Sequence, residues 1–131
     1  MTGQMLVFDV GTTGTKAALM TAEGSVLSSA YSDYETRTPQ EGIVEQNAED
    51  WWQAVLETAS QLDFSQVTGI AITGQMQNVI LLDEDAEVIR PVILYSDMRA
   101  QNESEFVNQT LRHADLKSLT GNEQTASFIN L

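Results

Sequence analysis

The stretch FDVGTTGTK, residues 8–16, gathers one acid, two glycines, three threonines and a lysine directly after an apolar run. A glycine-rich turn behind a buried strand is a common phosphate cradle. Gly11 and Gly14 permit positive φ and close backbone approach. Successive backbone N–H groups in such a turn form an anion nest, and the hydroxyls of Thr12, Thr13 and Thr15 add donors. Asp9 would repel a neighbouring phosphate unless a cation intervenes. It therefore points to Mg2+, held through water because that ion keeps several of its waters. Two familiar cradles fail on spacing. The Walker pattern G-x-x-x-x-G-K-[ST] is broken, since Thr15 separates Gly14 from Lys16 and Ala17 follows the lysine. The dinucleotide pattern G-x-G-x-x-G needs other glycine spacing and a following helix, whereas residues 15–20 read as strand. What remains is a strand–turn–strand loop carrying Asp9, set against a plain β-hairpin whose Asp9 caps its own turn.

Other side chains carry weaker signals. His113, the only histidine, is expected at a helix junction in a capping or surface role. Trp51 and Trp52 could stack on a ligand ring, but at helical spacing one belongs to the core and the other is partly exposed. Glu45 and Gln46 precede a helix, where a substrate contact and a helix lead-in stand equal. The acidic residues 83–85 lie between apolar runs and read as a solvated hairpin tip rather than a metal site. Lys16 opens a strand, so its side chain reaches either phosphate or solvent.

The elements that position these residues follow from periodicity and punctuation. Residues 4–10 form a short apolar run ending at Gly11, a buried strand. Residues 15–20 make a second strand, and 25–36 a third and more polar one after the turn at Gly24. Three strands joined by tight turns make an antiparallel meander. Residues 37–46 carry Pro39 and Gly42 and read as a loop. Asn47 starts a helix over about 48–61, with Asp50 completing a variant capping box and Glu49 and Asp50 suiting the positive helix end. The runs VTGIAITG at 67–74 and VILLD at 79–83 read as a fourth and fifth strand, the fourth buried. Residues 91–95 are extended again, 98–112 helical, and 113–119 a short helix stopped by Gly121.

Composition narrows the partners. A chain of 131 residues with 42% hydrophobic content is one globular domain. No apolar run approaches the ~20 residues that span a bilayer. The N-terminus has no basic stretch and meets Asp9 early, unlike a signal peptide. The absence of cysteine excludes a disulfide framework and thiolate metal sites, and suits the cytosol. The formal net charge is −13, and the six basic residues are scattered. Nucleic acid and anionic membrane are thereby disfavoured as partners. A small phosphate ligand is not, because backbone amides and a metal ion can hold it.

Residues 9–16, DVGTTGTK, resemble the first phosphate loop of the actin, heat-shock-70 and sugar-kinase superfamily. Residues 44–52, VEQNAEDWW, resemble the V-E-Q-x-P-E-D-W-W stretch of FGGY carbohydrate kinases. Residues 70–77, IAITGQMQ, are similar to that family's I-x-x-S-G-Q-M-H segment, and 90–100, RPVILYSDMRA, to its R-P-x-I-L-W-x-D-x-R segment. Residues 119–122 follow the pattern as well. The motifs come in order and span nearly the whole chain, and they resemble those of the xylulose kinase branch.

The resemblance implies an α/β, ribonuclease-H-like (actin-like ATPase) domain with a mixed five-stranded sheet and helices on its faces. It implies transfer of the γ-phosphate of ATP to a hydroxyl of a ketopentose such as xylulose, or of a related sugar or polyol. Asp9 would be the catalytic, Mg2+-placing acid, and Gly11, Thr12, Thr13, Gly14 and Lys16 would line the phosphate path. Gln75, Met76 and Gln77 would contact the sugar, with Asp97 and Arg99 shaping that side of the cleft directly or by fixing its loop. The family histidine is Gln77 here, which hydrogen-bonds but cannot titrate near neutrality, and the family tryptophan is Tyr95. The family's catalytic Asp and adenosine motifs lie later than residue 131. A fragment, inactive alone and partnered by a C-terminal domain of the same protein, is therefore expected in the cytoplasm, with a homodimer compatible. The rival reading is an actin-like, non-enzymatic nucleotide-binding or assembly domain.

Overall fold

The computed structural model describes residues 3–110, 117–119, 121, 125 and 126. They form two compact units, one of residues up to Glu35 with Asn47–Gln75, the other of Thr36–Gln46 with the residues from Met76 onward.

The first unit is built on the expected meander. Strands β1 (Gln4–Val10), β2 (Gly14–Met20) and β3 (Val26–Asp33) pair antiparallel, as the apolar runs and the turn at Gly24, φ +89°, dictate. Asn47 caps helix α1 (Ala48–Ser60) by accepting the Glu49 amide at 3.3 Å, while its own side-chain amide donates to Asp50 at 2.9 Å. This is a local variant of the capping box, with side chain meeting side chain at Asp50. The helix packs on β2 and β3, and register puts Leu6 opposite Leu19 and Phe8 opposite Ala17 on its side of the sheet. Leu6, Phe8, Ala17, Leu19, Ala30 and Leu62 form the core, with Val55 and Ala59 of α1 packed against it. Each fully buried Leu or Phe there contributes about 1.5–3 kcal/mol.

Strand β5, the run VTGIAITG at Val67–Gly74, pairs in parallel with β1 only, giving the order β3-β2-β1-β5. The expectation that it is buried fails: Ile70 is 63% and Ile72 72% exposed. The strand is an edge, and α1 does not extend over it. Its apolar side chains line an open cavity of about 500 Å³ with Phe8, Trp52 and Phe64. Trp52 is accordingly the exposed member of the tryptophan pair and Trp51 the half-buried one. The mixed α/β architecture holds, with four strands rather than five in the main sheet of the described residues.

The second unit has little regular structure. Residues 37–46, expected as loop, contain β4 (Glu45–Gln46), which pairs antiparallel with β6 (Val92–Ile93). Residues 79–83 form no regular strand; isolated bridges from Val79 to Ile93 and from Leu82 to Val88 draw a loose hairpin instead. Its tip is tied by Asp83, whose carboxylate accepts the amides of Asp85 and Glu87. Val92, Ile93 and Leu94 are buried. Helix α2 (Gln101–Thr110) starts three residues later than expected from 98, because Asp97 and the turn after it are engaged elsewhere. Gly121, φ +72°, closes the turn at Lys117–Leu119 by donating to the Lys117 carbonyl at 2.9 Å. His113 lies outside the described residues.

Candidate phosphate and sugar site

In the first unit, strand register arranges the charged side chains. Leu6 and Phe8 face the core, so alternation sends Asp9 to the opposite side of the sheet. Asp9 stands opposite Lys16 on β2 and opposite Thr73 on β5, and Lys16 stands opposite Tyr31 on β3. Directly opposed residues share a face, so these four form one row across the sheet. Asp9 and Lys16 are both exposed, and neither has a hydrogen-bond or ion-pair partner among the described residues. An acid capping its own turn would show such a bond, so the plain capped hairpin does not describe Asp9.

The loop between β1 and β2 is closed by Gly11 N–H donating to the Gly14 carbonyl at 3.0 Å. Two-residue hairpin tips ordinarily use left-handed backbone. None of residues 11–14 adopts it, so the freedom of Gly11 and Gly14 to take positive φ is not used here. Gly14 is required by close approach: a Cβ there would lie 2.6 Å from the Ser32 carbonyl oxygen and inside contact of the Tyr31 ring. The loop is held from β3. Tyr34 donates its hydroxyl to the Gly11 carbonyl, and Tyr31 donates to the Thr13 carbonyl at 3.1 Å. Burial pushes the Tyr34 phenol above its ordinary value, the Thr15 hydroxyl opposes this, and the Tyr31 and Asp9 charges add to it. Sequence reading missed both tyrosines. Their signal was two aromatics, three positions apart, in an otherwise polar segment.

Gln75 belongs to the same end of this unit. Its amide donates to the Val10 carbonyl at 2.9 Å, extending the parallel β1–β5 pairing by one residue. Asp9, the 11–14 loop and Gln75 thus gather where β1 and β5 end. Ligands of parallel sheets bind at the carboxyl ends of the strands. Asp9 is one exposed carboxylate at that end, and Asp33, opposite Gly14 on β3, is another. No group of three acidic, histidine or cysteine side chains capable of holding a metal occurs among the described residues. That donor set suits Mg2+, which takes one or two carboxylates and fills the rest of its shell with water and phosphate.

In the second unit, Met76 is 78% exposed and Gln77 is exposed with a left-handed backbone, φ 63°. A non-glycine residue there carries strain that its surroundings must maintain. Asn78 helps by accepting the Tyr95 amide at 2.9 Å. Asp97 is fully buried. Its Oδ1 accepts the Arg99 amide at 2.9 Å and Arg99 Nε at 2.8 Å; its Oδ2 accepts the Val44 amide at 2.7 Å and Arg99 Nη2 at 2.8 Å. A carboxylate has about four lone-pair sites. All four are taken by the protein, so direct sugar contact by Asp97 is set aside and the residue fixes its loop. Arg99 also donates to Glu45 Oε1 at 2.6 Å, which Arg90 shares at 2.6 Å. Glu45, evenly balanced on sequence, is therefore the joint between β4 and two arginines. Burial alone pushes the Asp97 carboxyl up, but Arg99 and the Val44 and Arg99 amides together outweigh it and hold it below the ordinary range.

The chain is similar to known proteins. The model of the FGGY family of carbohydrate kinases, N-terminal domain, matches residues 4–129. The chain is 32% identical over 124 residues to a xylulose kinase of Staphylococcus xylosus, covering 92% of this chain and 26% of that protein. It is 30% identical over 125 residues to a gluconokinase of Bacillus subtilis (strain 168), covering 92% and 24%. The crystal structure of a xyloylose kinase from Brucella ovis superposes with a TM-score of 0.87 at 30% identity, over 95% of this chain and 27% of that one. The chain thus spans about a quarter of the length of the relatives it matches. With a match over residues 4–129, nearly its full length, the chain belongs to the FGGY family of carbohydrate kinases.

Proposed function

We propose that this chain supplies the phosphate-loop wall of an ATP-dependent sugar kinase whose second wall is a further, C-terminal domain. The observation that carries this reading is Asp9: exposed, without a protein partner among the described residues, and set beside a loop whose carbonyls are drawn toward β3. Gly11, Thr12, Thr13 and Gly14 line the path of the polyphosphate, with Lys16 on the same face as Asp9. Asp9 would hold Mg2+, which would supply charge neutralisation on the phosphates. Phosphoryl transfer demands positioning and charge stabilisation more than covalent chemistry from the protein. In the reaction, a sugar hydroxyl oxygen bonds to the γ-phosphorus and the bond to the β,γ-bridging oxygen breaks. ADP leaves, and the hydroxyl proton passes to a base that this reading assigns to the second wall.

On the sugar side, Gln75, Met76 and Gln77 contact the acceptor, and Asp97 and Arg99 fix the neighbouring loop. Xylulose is the first acceptor to test and gluconate the second, following the relatives' names. No helix of the described residues is long and apolar enough to cross a membrane, and a cytoplasmic site of action fits an enzyme of ATP. The test is ATP consumption, in Mg2+, by the chain alone and by the protein carrying an ATP-binding second half, with D-xylulose, gluconate and glycerol. The chain alone should turn over none of them, and the longer protein should prefer one. Turnover by the chain alone would overturn the two-wall reading.

A further inference from the structure

The loop's carbonyls reveal how its amides are aimed. Tyr34 donates to the Gly11 oxygen, and Tyr31 donates to the Thr13 oxygen at 3.1 Å, with the Tyr34 amide 3.4 Å from that same oxygen. These peptides are trans. In a trans peptide the N–H lies opposite the C=O. The peptide between residues 11 and 12 therefore aims the Thr12 amide away from Tyr34. The peptide between residues 13 and 14 aims the Gly14 amide away from both tyrosines.

We propose that Tyr34 and Tyr31 are positioning residues for the polyphosphate chain of a nucleotide, each fixing one loop carbonyl and so setting the direction of one amide donor. The inference rests on the phosphate-loop reading above. The loop needs such an anchor, because no left-handed residue among 11–14 locks its backbone. A carbonyl that swung round would turn its negative end toward the phosphate. A phenol suits this role, because it donates a hydrogen bond without adding a charge that would compete with or repel the ligand. An ordinary phenol is neutral at neutral pH, and burial pushes Tyr34 further in that direction. Gly14 is matched to this arrangement, because any side chain there would displace Tyr31.

The experiment titrates magnesium pyrophosphate into the 131-residue chain and follows the amide resonances of Thr12 and Gly14 by NMR, with melting temperature recorded in parallel. Both resonances should shift and saturate in the wild-type chain. Tyr34→Phe and Tyr31→Phe should each weaken affinity about three- to tenfold, the worth of one hydrogen bond. A purely structural role would lower the melting temperature and leave the affinity of the folded chain unchanged. Wild-type affinity in both folded variants would therefore overturn the proposal while leaving the phosphate loop intact. If Tyr34→Phe fails to fold, Tyr31→Phe decides alone. Absence of any wild-type shift at Thr12 and Gly14 would overturn the phosphate-loop reading and this inference with it.

Discussion

Asp97 grips Arg99 with both carboxylate oxygens, Nε on Oδ1 and Nη2 on Oδ2, each at 2.8 Å. The acid is fully buried, so removing its partner strands a charge away from water. Arg99→Ala should cost about 3 kcal/mol of local stability. Hydrogen exchange at the Val44 amide, which Asp97 accepts, should accelerate about a hundredfold. Unchanged protection there would mean that the pair does not hold the loop.

The same pair sets an acid limit. The Asp97 carboxyl lies below its ordinary value in the folded state. Folding then favours the ionised form, so the contribution is complete above about pH 4, the unfolded value, and is lost as pH falls through the lower folded value. Asp97→Asn should be less stable than wild type at pH 7, and the gap should close below about pH 4. Urea unfolding of both proteins from pH 7 to pH 3 measures it. A gap that widens on acidification would reverse the assigned sign.

Gly14→Ala places a methyl group 2.6 Å from the Ser32 carbonyl oxygen. Overpacking of that kind costs about 1–3 kcal/mol. Gly24→Ala meets open space and bears only the strain of its φ of +89°, about 1 kcal/mol. Thermal melts should rank Gly14→Ala as the more damaging of the two. Equal melts would show that β3 yields at Ser32.

The exposed edge of β5 predicts dye binding. With Ile70 and Ile72 mostly exposed beside a 500 Å³ apolar cavity, the native chain should enhance ANS fluorescence. Ile72→Ser should cut that signal and change stability by no more than about 0.5 kcal/mol, as exposed positions do. A destabilisation of several kcal/mol would mean that Ile72 is covered in solution.

Much of this was legible in sequence because the signals were local. The run QMLVFDV, the glycine stop behind it and Asn47 ahead of a 3.6-residue period fix β1, its turn and the start of α1. Strand β4 escaped because two residues carry no period, whereas β6 falls inside the run 91–95 that reads as extended. VTGIAITG reads as buried on composition, yet burial depends on what lies across the strand, which composition does not encode. Glu45 and Arg99 meet across 54 positions, and Tyr34 reaches Gly11 across 23, distances that no motif spans without the fold. Asp9 was found from its loop alone, but its lack of a protein partner among the described residues is a structural fact.

The most direct measurement of the central claim is phosphoryl transfer by the protein carrying its ATP-binding half, with Asp9 and with Asp9→Ala. If Asp9 places the metal and the transferred phosphate, the variant should lose about 10²–10³ in kcat, the scale of one electrostatic group removed from a transition state. The KM for the sugar should change little, since the sugar contacts are assigned elsewhere. Full kcat in a folded Asp9→Ala enzyme would contradict the account.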